Sequence, residues 1–359
     1  MESGLKLKKE GNLIPSLRWR SRIYAIIGLA VFLIILIVIA TTIGSVKVPL
    51  ETTFQILLSK IPFIDITPAW PDGTDTIILD VRLPRVIMAG LVGAALSTAG
   101  ATYQGLFRNP LADPYLIGAA QGASLGAIIG FLLPAAWAIT GIGIIPVFAF
   151  IGAIVATAIV YGLARGGKTL PVTTLILAGV ALSALLSSIV SYLIITSGDK
   201  MHGIVFWLMG SFSLSQWSDI GLVLPYIAVG IGVILVFARP LNVMQLDEEQ
   251  AQQLGINVER TKLILLAAST LITAAAVSFV GTIGFVGIII PHAVRLIWGA
   301  DHRFLLPLSV LVGAIFLILA DLLARTVQAP TEIPIGVITA LCGAPFFLYL
   351  LRRRKRVIF

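Results

Sequence analysis

After Arg22 the chain reads Ile23-Tyr-Ala-Ile-Ile-Gly-Leu-Ala-Val-Phe-Leu-Ile-Ile-Leu-Ile-Val-Ile-Ala-Thr-Thr-Ile43, without one charged side chain. About 20 apolar residues in an α-helix cross a hydrocarbon core of roughly 30 Å. The apolar part of a signal peptide is shorter, and no small-residue cleavage pattern follows this stretch. It therefore predicts a first membrane-spanning helix that is not cleaved.

Nine further apolar windows follow, and together they predict about ten spanning helices. The windows lie near 86–107, 115–133, 144–164, 172–196, 218–238, 263–280, 283–299, 304–324 and 333–351. They lack the period-two alternation of a membrane barrel, and a helix satisfies its own backbone hydrogen bonds in lipid. We predict an all-α, polytopic integral membrane protein.

The composition supports this class and excludes others. Hydrophobic residues make up 58% of the 359 residues and charged residues 12%, against about 25% charged in soluble domains. The net charge of +8 would suggest a nucleic-acid partner only if the basic side chains formed a stripe. They lie between the apolar runs instead, so the lipid bilayer is the expected partner.

The distribution of basic residues predicts the orientation, because cytoplasmic connections retain Lys and Arg. Both termini are placed in the cytoplasm. This leaves only six of the 25 basic residues outside, namely Lys47, Lys60, Arg82, Arg85, Lys200 and Arg325.

The predicted organisation is a single ten-helix membrane domain at 23–351, between basic cytoplasmic tails at 1–22 and 352–359. Two longer polar connections interrupt it, an outer loop at 44–85 and a cytoplasmic loop at 239–262. The outer loop is long and proline-rich at 61–76, without a predicted role. Because no segment could build a soluble domain, the energy source must be another chain or an ion gradient.

The cytoplasmic loop contains Asp247-Glu-Glu-Gln-Ala-Gln-Gln-Leu-Gly255, which predicts a short polar helix. Asp247 is the expected N-cap, Gln250 would complete a capping box, and Gly255 would end the helix. The helix is either a solvated linker or a docking element for a partner at the inner face. The residues alone do not separate these alternatives.

Arg82, Arg85 and Arg325 lie outside, against the positive-inside bias. They are interpreted either as interfacial anchors for lipid headgroups or as a basic docking surface for an acidic partner.

Two glycine patterns have structural interpretations. Gly118, Gly122, Gly126 and Gly130 recur at every fourth residue, which favours close packing of two helices over a pathway lining. The segment Gly162-Leu-Ala-Arg-Gly-Gly-Lys-Thr169 matches a nucleotide-binding loop, but it closes an apolar span where a strand is required. A turn between two spans is the better interpretation.

Catalytic and metal sites are not predicted. His292 is the only histidine clearly within a span, and the chain carries neither a paired-carboxylate nor a Ser/His arrangement on adjacent spans. The chain itself is therefore expected to be neither an enzyme nor a metal binder.

Several motifs, in order along nearly the whole chain, resemble the FecCD-type permeases of ATP-binding-cassette (ABC) importers for ferric siderophores, heme and cobalamin. They are Val81-Arg-Leu-Pro-Arg85, Gly105-Leu-Phe-Arg-Asn-Pro-Leu-Ala-Asp-Pro114, Leu175-Ile-Leu-Ala-Gly-Val180, Gly284-Phe-Val-Gly-Ile-Ile-Ile-Pro-His292, Ala320-Asp-Leu-Leu-Ala-Arg325 and Glu332-Ile-Pro-Ile-Gly336.

The resemblance implies a permease subunit in the cytoplasmic membrane, whose second copy completes the pathway for a metal chelate. Two ATPase subunits would bind inside and use ATP and Mg²⁺, whereas this chain would bind no cofactor. An extracytoplasmic binding protein would place acidic side chains on Arg82, Arg85 and Arg325. The ATPase-coupling residues would be Asp247, Gln250, Ala251, Leu254 and Gly255, and the cytoplasmic gate would contain Thr173 and Thr174.

Two alternatives stay open. The same machinery would serve a ferric siderophore, heme or a corrinoid, and the residues do not choose among them. An ion-coupled secondary transporter needs an ionisable residue near the bilayer midplane, whereas Asp113 and Asp321 fall near span ends.

Overall fold

The computed structural model describes residues 15–44, 46–61, 67–68, 70–134, 143–167 and 169–355. Three predicted segments lie partly outside these ranges: the N-terminal tail through residues 1–14, the C-terminal tail through 356–359, and the outer loop through 45, 62–66 and 69. Within the described part, the named elements are all helical, and pairing of β type is limited to an isolated bridge between Gly166 and Thr169.

The helices follow one another with short connections. They are α1 (Pro15–Thr42), α2 (Leu50–Leu58), α3 (Thr74–Thr76), α4 (Leu83–Leu106), α5 (Ala119–Leu132), α6 (Ile144–Ala164), α7 (Val172–Thr196), α8 (Met201–Leu208), α9 (Trp217–Val236), α10 (Ala238–Val243), α11 (Glu248–Gln253), α12 (Val258–Val280), α13 (Val286–Trp298), α14 (His302–Thr326) and α15 (Ile335–Lys355). A π-helical turn, Ile77–Arg82, leads into α4, and 3₁₀ turns lie at Pro114–Ile117 and Gly198–Lys200.

Each predicted apolar window coincides with a helix, but not every helix has the length of a span. Among the described residues, six helices are long and apolar enough to cross a membrane: Trp19–Thr42, Ile144–Ala164, Val172–Thr196, Trp217–Val236, Val258–Val280 and His302–Thr326. The all-α, membrane-spanning class is thereby confirmed, and the count of ten stays a prediction.

Two of the shorter helices explain part of this difference. α5 has 14 residues and α13 has 13, so each measures only about 20 Å. A 3₁₀ turn precedes α5, and irregular backbone precedes α13. A hydropathy window counts such residues as part of the span, because it measures apolarity and not backbone conformation.

The centre of the bundle is built on α4, α12 and α14, whereas α1 and α7 are mostly exposed. Glycines bring the central helices together. A Cβ at Gly93 would lie 2.2 Å from the carbonyl oxygen of Gly313 in α14, and one at Gly100 would lie 1.8 Å from that of Gly287 in α13. Helix backbones therefore touch directly, as small residues permit in membrane proteins.

The glycine stripe of α5 packs as its spacing predicts. A Cβ at Gly122 would lie 2.3 Å from the carbonyl oxygen of Gly152 in α6, and one at Gly126 would lie 2.0 Å from that of Phe148. Gly118 has a different function, because its φ of +85° makes it the left-handed residue that starts α5. The stripe is thus a contact between helices and not a pathway lining.

The Gly126→Ala variant is expected to lose about 1–3 kcal/mol of stability, because the added methyl group must push α5 and α6 apart. The measurement is the thermal unfolding midpoint of the purified protein in detergent. Gly162→Ala in α6 is the matched control, since a Cβ there meets nothing within 4 Å and should leave the midpoint almost unchanged. An equal midpoint for both variants would contradict the packing described here.

Candidate functional sites at the two ends of the bundle

Polar side chains gather in two groups at opposite ends of α4. Arg82 and Arg85 lie at its beginning and Arg108 lies just beyond its end, so about 36 Å of helix separates the two groups. The outer group joins residues predicted to be outside, and the inner group joins residues predicted to be cytoplasmic. This separation agrees with the alternation of spans in the sequence.

The outer group, here called the outer arginine cluster, contains Arg82, Arg85, Asp321, Arg325 and Glu332. Arg85 is its centre. Its Nε and Nη2 donate to both oxygens of Asp321 at 2.9–3.1 Å, and its Nη1 donates to Glu332 at 2.6 Å. Arg85 thereby ties α4 to α14 and to the connection that follows α14.

The other two arginines cover the C-terminal end of α1. Arg82 Nη1 donates to the carbonyl oxygen of Thr42 at 2.7 Å, and its Nη2 donates to that of Val46. Arg325 Nη2 donates to the carbonyl oxygen of Ala40 at 2.6 Å. Positive charges are favourable here, because the last carbonyl groups of a helix carry partial negative charge.

Glu332 connects the cluster to the segment between α8 and α9. It accepts hydrogen bonds from Arg85 and from the hydroxyl group of Ser213. Burial raises the pKa of Glu332, but the hydrogen bonds from Arg85 and Ser213, together with the positive charges of Arg85 and Arg325, outweigh burial and hold the pKa below its ordinary value. The carboxylate is therefore ionised at neutral pH.

The structure changes how the three arginines can act. Arg82, Arg85 and Arg325 are only 5%, 9% and 7% exposed, and each guanidinium group has partners inside the chain. They are thus not interfacial lipid anchors. Contact with a binding protein stays a prediction, and it would require these groups to exchange internal partners for external ones.

At the inner end, α11 is the predicted polar helix, but its N-terminus differs from the prediction. Asp247 stands at the N-cap without capping a backbone N–H, and Gln250 completes no capping box. The Asp247 carboxylate instead accepts a hydrogen bond from Arg108 Nη1 at 3.3 Å. A partner distant in the sequence has replaced the local one.

The C-terminus of α11 matches the prediction. Gly255 has a φ of +84°, and its N–H donates to the carbonyl oxygen of Gln252. The N–H of Ile256 donates to the carbonyl oxygen of Ala251, which completes a Schellman motif. Ala251 is fully buried, whereas Gln250 is exposed and Leu254 is 63% exposed. The helix is therefore anchored by one face and presents the other.

Lys262 organises a second inner group that the sequence reasoning missed. Its Nζ contacts Glu248 of α11 at 2.9 Å, Glu259 of α12 at 3.0 Å and the carbonyl oxygen of Leu170 at 3.2 Å. The other oxygen of Glu259 accepts the N–H of Leu170 at 2.9 Å. These four residues are called the Lys262 cluster below. The pair Glu259 and Lys262, three residues apart on one helix, was the available signal.

The predicted gate residues lie beside this cluster. Thr173 and Thr174 are exposed in the first turn of α7, just after Pro171 at its N-cap. The loop that resembles a nucleotide site is a turn closed by hydrogen bonds between Gly166 and Thr169, and α6 precedes it where a strand would be needed. Lys168 lies outside the described residues.

A cavity of about 500 Å³ lies among α5, α7 and the segment before α13. Its lining includes Asp113, Tyr115, Gln121, Ser124, Ser183 and Thr282. Small and hydroxyl side chains make up much of this lining, and Asp113 is the acidic residue in it.

The two carboxylates relevant to ion coupling are both engaged. Asp321 lies near the outer end of α14 and binds Arg85, as described above. Asp113 caps the 3₁₀ turn before α5 by accepting the N–H of Tyr115 at 2.8 Å. Each therefore has a structural function in the chain.

Comparison with known proteins shows the family to which this chain is similar. The sequence model of the FecCD transport family matches residues 32–353. The cobalamin import system permease protein BtuC of Halobacterium salinarum is 48% identical over 285 residues, which cover 79% of this chain and 76% of that protein. The hemin transport system permease protein HmuU of Yersinia pestis is 44% identical over 286 residues, covering 77% of this chain and 83% of that protein.

A solved structure shows the same fold. A metal-chelate type ABC transporter in an inward-facing conformation matches with a TM-score of 0.78 at 33% identity. The match covers 92% of this chain and 99% of that chain.

Proposed function

Because this chain belongs to the FecCD transport family, we propose that it is the permease subunit of an ATP-driven importer for a bulky metal chelate. The proposed cargo is a ferric siderophore or heme, carried across the cytoplasmic membrane. A corrinoid is the alternative, which the match to a cobalamin import permease supports. The observation that carries the proposal is a family match that spans nearly all the membrane helices.

The energy for transport is assigned to partner subunits. The one segment that resembles a nucleotide-binding loop is a turn after α6, which lacks the required strand. Two ATPase subunits would bind ATP and Mg²⁺, and this chain would bind no cofactor and catalyse no reaction.

The site for those subunits is α11. This helix lies at the inner end, is fixed through Ala251 and ends in a Schellman motif that exposes Leu254. A rigid helix with an exposed apolar residue fits a cleft in a partner better than a mobile linker does. Asp247, Gln250 and Gly255 lie around it as further contact positions.

A second copy of the chain would complete the pathway. Along α7 only Leu175, Gly179 and Val190 are buried, so most of this apolar helix has no cover within one copy. The same helix contributes Val180 and Ser183 to the cavity. Pairing two copies across α7 would enclose the cavity, with Thr173 and Thr174 at its cytoplasmic end.

At the outer end, an extracytoplasmic binding protein would dock over the outer arginine cluster. Its acidic side chains would compete with Asp321 and Glu332 for Arg85, and with helix carbonyl groups for Arg82 and Arg325. Such an exchange would loosen the contacts among α1, α4 and α14, which links delivery of cargo to opening of the bundle.

The substrate is tested by ATPase activity of the reconstituted complex. Each arm contains binding protein that is empty or loaded with a ferric siderophore, heme or cobalamin. We expect one metal-chelate form to stimulate hydrolysis above the empty form. If no loaded form stimulates hydrolysis in a complex that contains the ATPase, the chelate assignment is wrong.

A further inference from the structure

The Lys262 cluster joins three separate parts of the inner face. Glu248 belongs to α11, Glu259 and Lys262 belong to α12, and Leu170 lies in the connection between α6 and α7. The backbone of Leu170 is held twice, since its carbonyl oxygen accepts from Lys262 and its N–H donates to Glu259. This loop is therefore fixed to α12 from both sides.

Because Lys262 is charged and buried, loss of any one of its three hydrogen-bond acceptors is energetically costly. The residue is only 3% exposed, and an ammonium group has three N–H donors. The cluster supplies three oxygen acceptors, one from each connected part. A buried ammonium group that loses an acceptor keeps an unsatisfied donor away from water, so the four residues are expected to move together.

The position of Leu170 connects the Lys262 cluster to the start of α7. Leu170 directly precedes Pro171, the N-cap of α7, and Thr173 lies in the first turn of that helix. A displacement of α11 would pull Glu248, and through Lys262 it would pull the start of α7. The path from the helix to the gate contains two side chains and one peptide group.

The other ionic contact of α11 is weaker. Arg108 lies 3.3 Å from Asp247 and 3.9 Å from Glu248, but the Arg108 and Asp247 side chains are 37% and 77% exposed. Exposed ion pairs contribute little, because water screens them. Glu248 is itself 42% exposed, but Lys262 is 3% exposed, so the Lys262 contact is the more buried ionic link between α11 and the other described parts of the chain.

We propose that Lys262 is a positioning residue that transmits movement of α11 to the first turn of α7 and so couples ATP hydrolysis to opening of the cytoplasmic gate. This inference rests on the proposed function, in which α11 docks on the ATPase. Lys262 touches neither nucleotide nor cargo in this account and acts only by holding Glu248, Glu259 and Leu170.

The test compares variants of the full complex in proteoliposomes by the amount of cargo transported per ATP hydrolysed. Lys262→Met removes the charge and keeps the length of the side chain. Glu248→Ala breaks the link from Lys262 to α11, together with the 3.9 Å contact to Arg108, and leaves Lys262 with Glu259 and Leu170, so folding should survive. For both variants we expect the ATPase subunit to copurify and hydrolysis to continue, while cargo per ATP falls about tenfold.

Glu249→Ala is the matched control for Glu248→Ala. Glu249 is the next residue in the first turn of α11, is exposed and forms no ion pair among the described residues. The amount of cargo that the Glu249→Ala complex transports per ATP hydrolysed should stay within about twofold of that of the unmodified complex. Lys262→Arg retains the positive charge and should recover most of the ratio.

The inference is overturned if Lys262→Met and Glu248→Ala transport as much cargo per ATP as the unmodified complex. It is equally overturned if transport and hydrolysis fall in proportion, because that is the result of lost assembly. Failure of the proposed function looks different: the unmodified chain would then bind no ATPase subunit and transport no chelate.

Discussion

Asp321→Asn is expected to destabilise the protein by about 3–5 kcal/mol. Asp321 is 1% exposed, accepts three hydrogen bonds from Arg85 and lies 3.5 Å from Arg325. Loss of its charge leaves two nearly buried guanidinium groups with Glu332 as the remaining carboxylate of the cluster. The expected result is a large fall in the thermal midpoint and a low yield of folded protein.

Asp80→Asn provides the control for this experiment. Asp80 lies in the π-helical turn before α4, at the same end of the bundle, and is exposed without an ion pair among the described residues. Its neutralisation should change stability by less than about 0.5 kcal/mol. A midpoint for Asp321→Asn as high as that of Asp80→Asn would show that the outer arginine cluster is not structural.

The same geometry affects how docking should be tested. Arg85→Glu would place three carboxylates together at one buried site, so lost transport could follow from unfolding alone. Binding-protein affinity must therefore be compared only among variants whose midpoints match that of the unmodified protein.

Leu254→Asp is expected to weaken assembly with the ATPase by roughly thirtyfold or more, while leaving the stability of the permease unchanged. Leu254 is 63% exposed at the end of α11, so it contributes little to folding. An apolar residue buried at the centre of an interface typically contributes about 2 kcal/mol or more, which is roughly thirtyfold in affinity. The measurement is the affinity of the ATPase subunit for detergent-purified permease.

The control keeps the side chain apolar. Leu254→Met conserves volume and should retain nearly full affinity. Equal affinity for the Asp and Met variants would exclude α11 as the docking helix. A lower thermal unfolding midpoint for Leu254→Asp would show that Leu254 contributes to the stability of the permease.

Long uniform features of the fold could be predicted from the sequence, because they depend on local composition. The run from Ile23 to Ile43 carries no charged side chain, and α1 covers it as far as Thr42. The spacing from Gly122 to Gly126 places both glycines on one helical face, and both contact α6. The Gly255 terminus was predictable for the same reason, since a left-handed residue is a local requirement.

Features that depend on distant partners could not be predicted. Asp247 has a suitable position for a capping box, but Arg108, 139 residues away, binds its carboxylate. The position of Arg85 in a loop predicts a surface residue, whereas Arg85 is buried in an ion pair with Asp321, 236 residues away. The sequence identifies Lys262 only as a cytoplasmic charge, because its partner Leu170 lies 92 residues away in the sequence.

The lengths of α5 and α13 were missed for a third reason. Their sequences are as apolar as those of the other helices, but 3₁₀ or irregular backbone occupies part of each window. The Asp113 carboxylate reaches the cavity through this irregular backbone.

The central claim, that this chain is the permease of an ATP-driven importer, is tested most directly by uptake of radiolabelled chelate into proteoliposomes that contain the complete complex and its loaded binding protein. Uptake is measured with ATP present, with ATP omitted, and with ATP present after ionophores have collapsed all ion gradients. We predict uptake that continues after the gradients collapse and stops without ATP. Uptake that continues without ATP and stops when the gradients collapse would contradict the account and indicate an ion-coupled transporter.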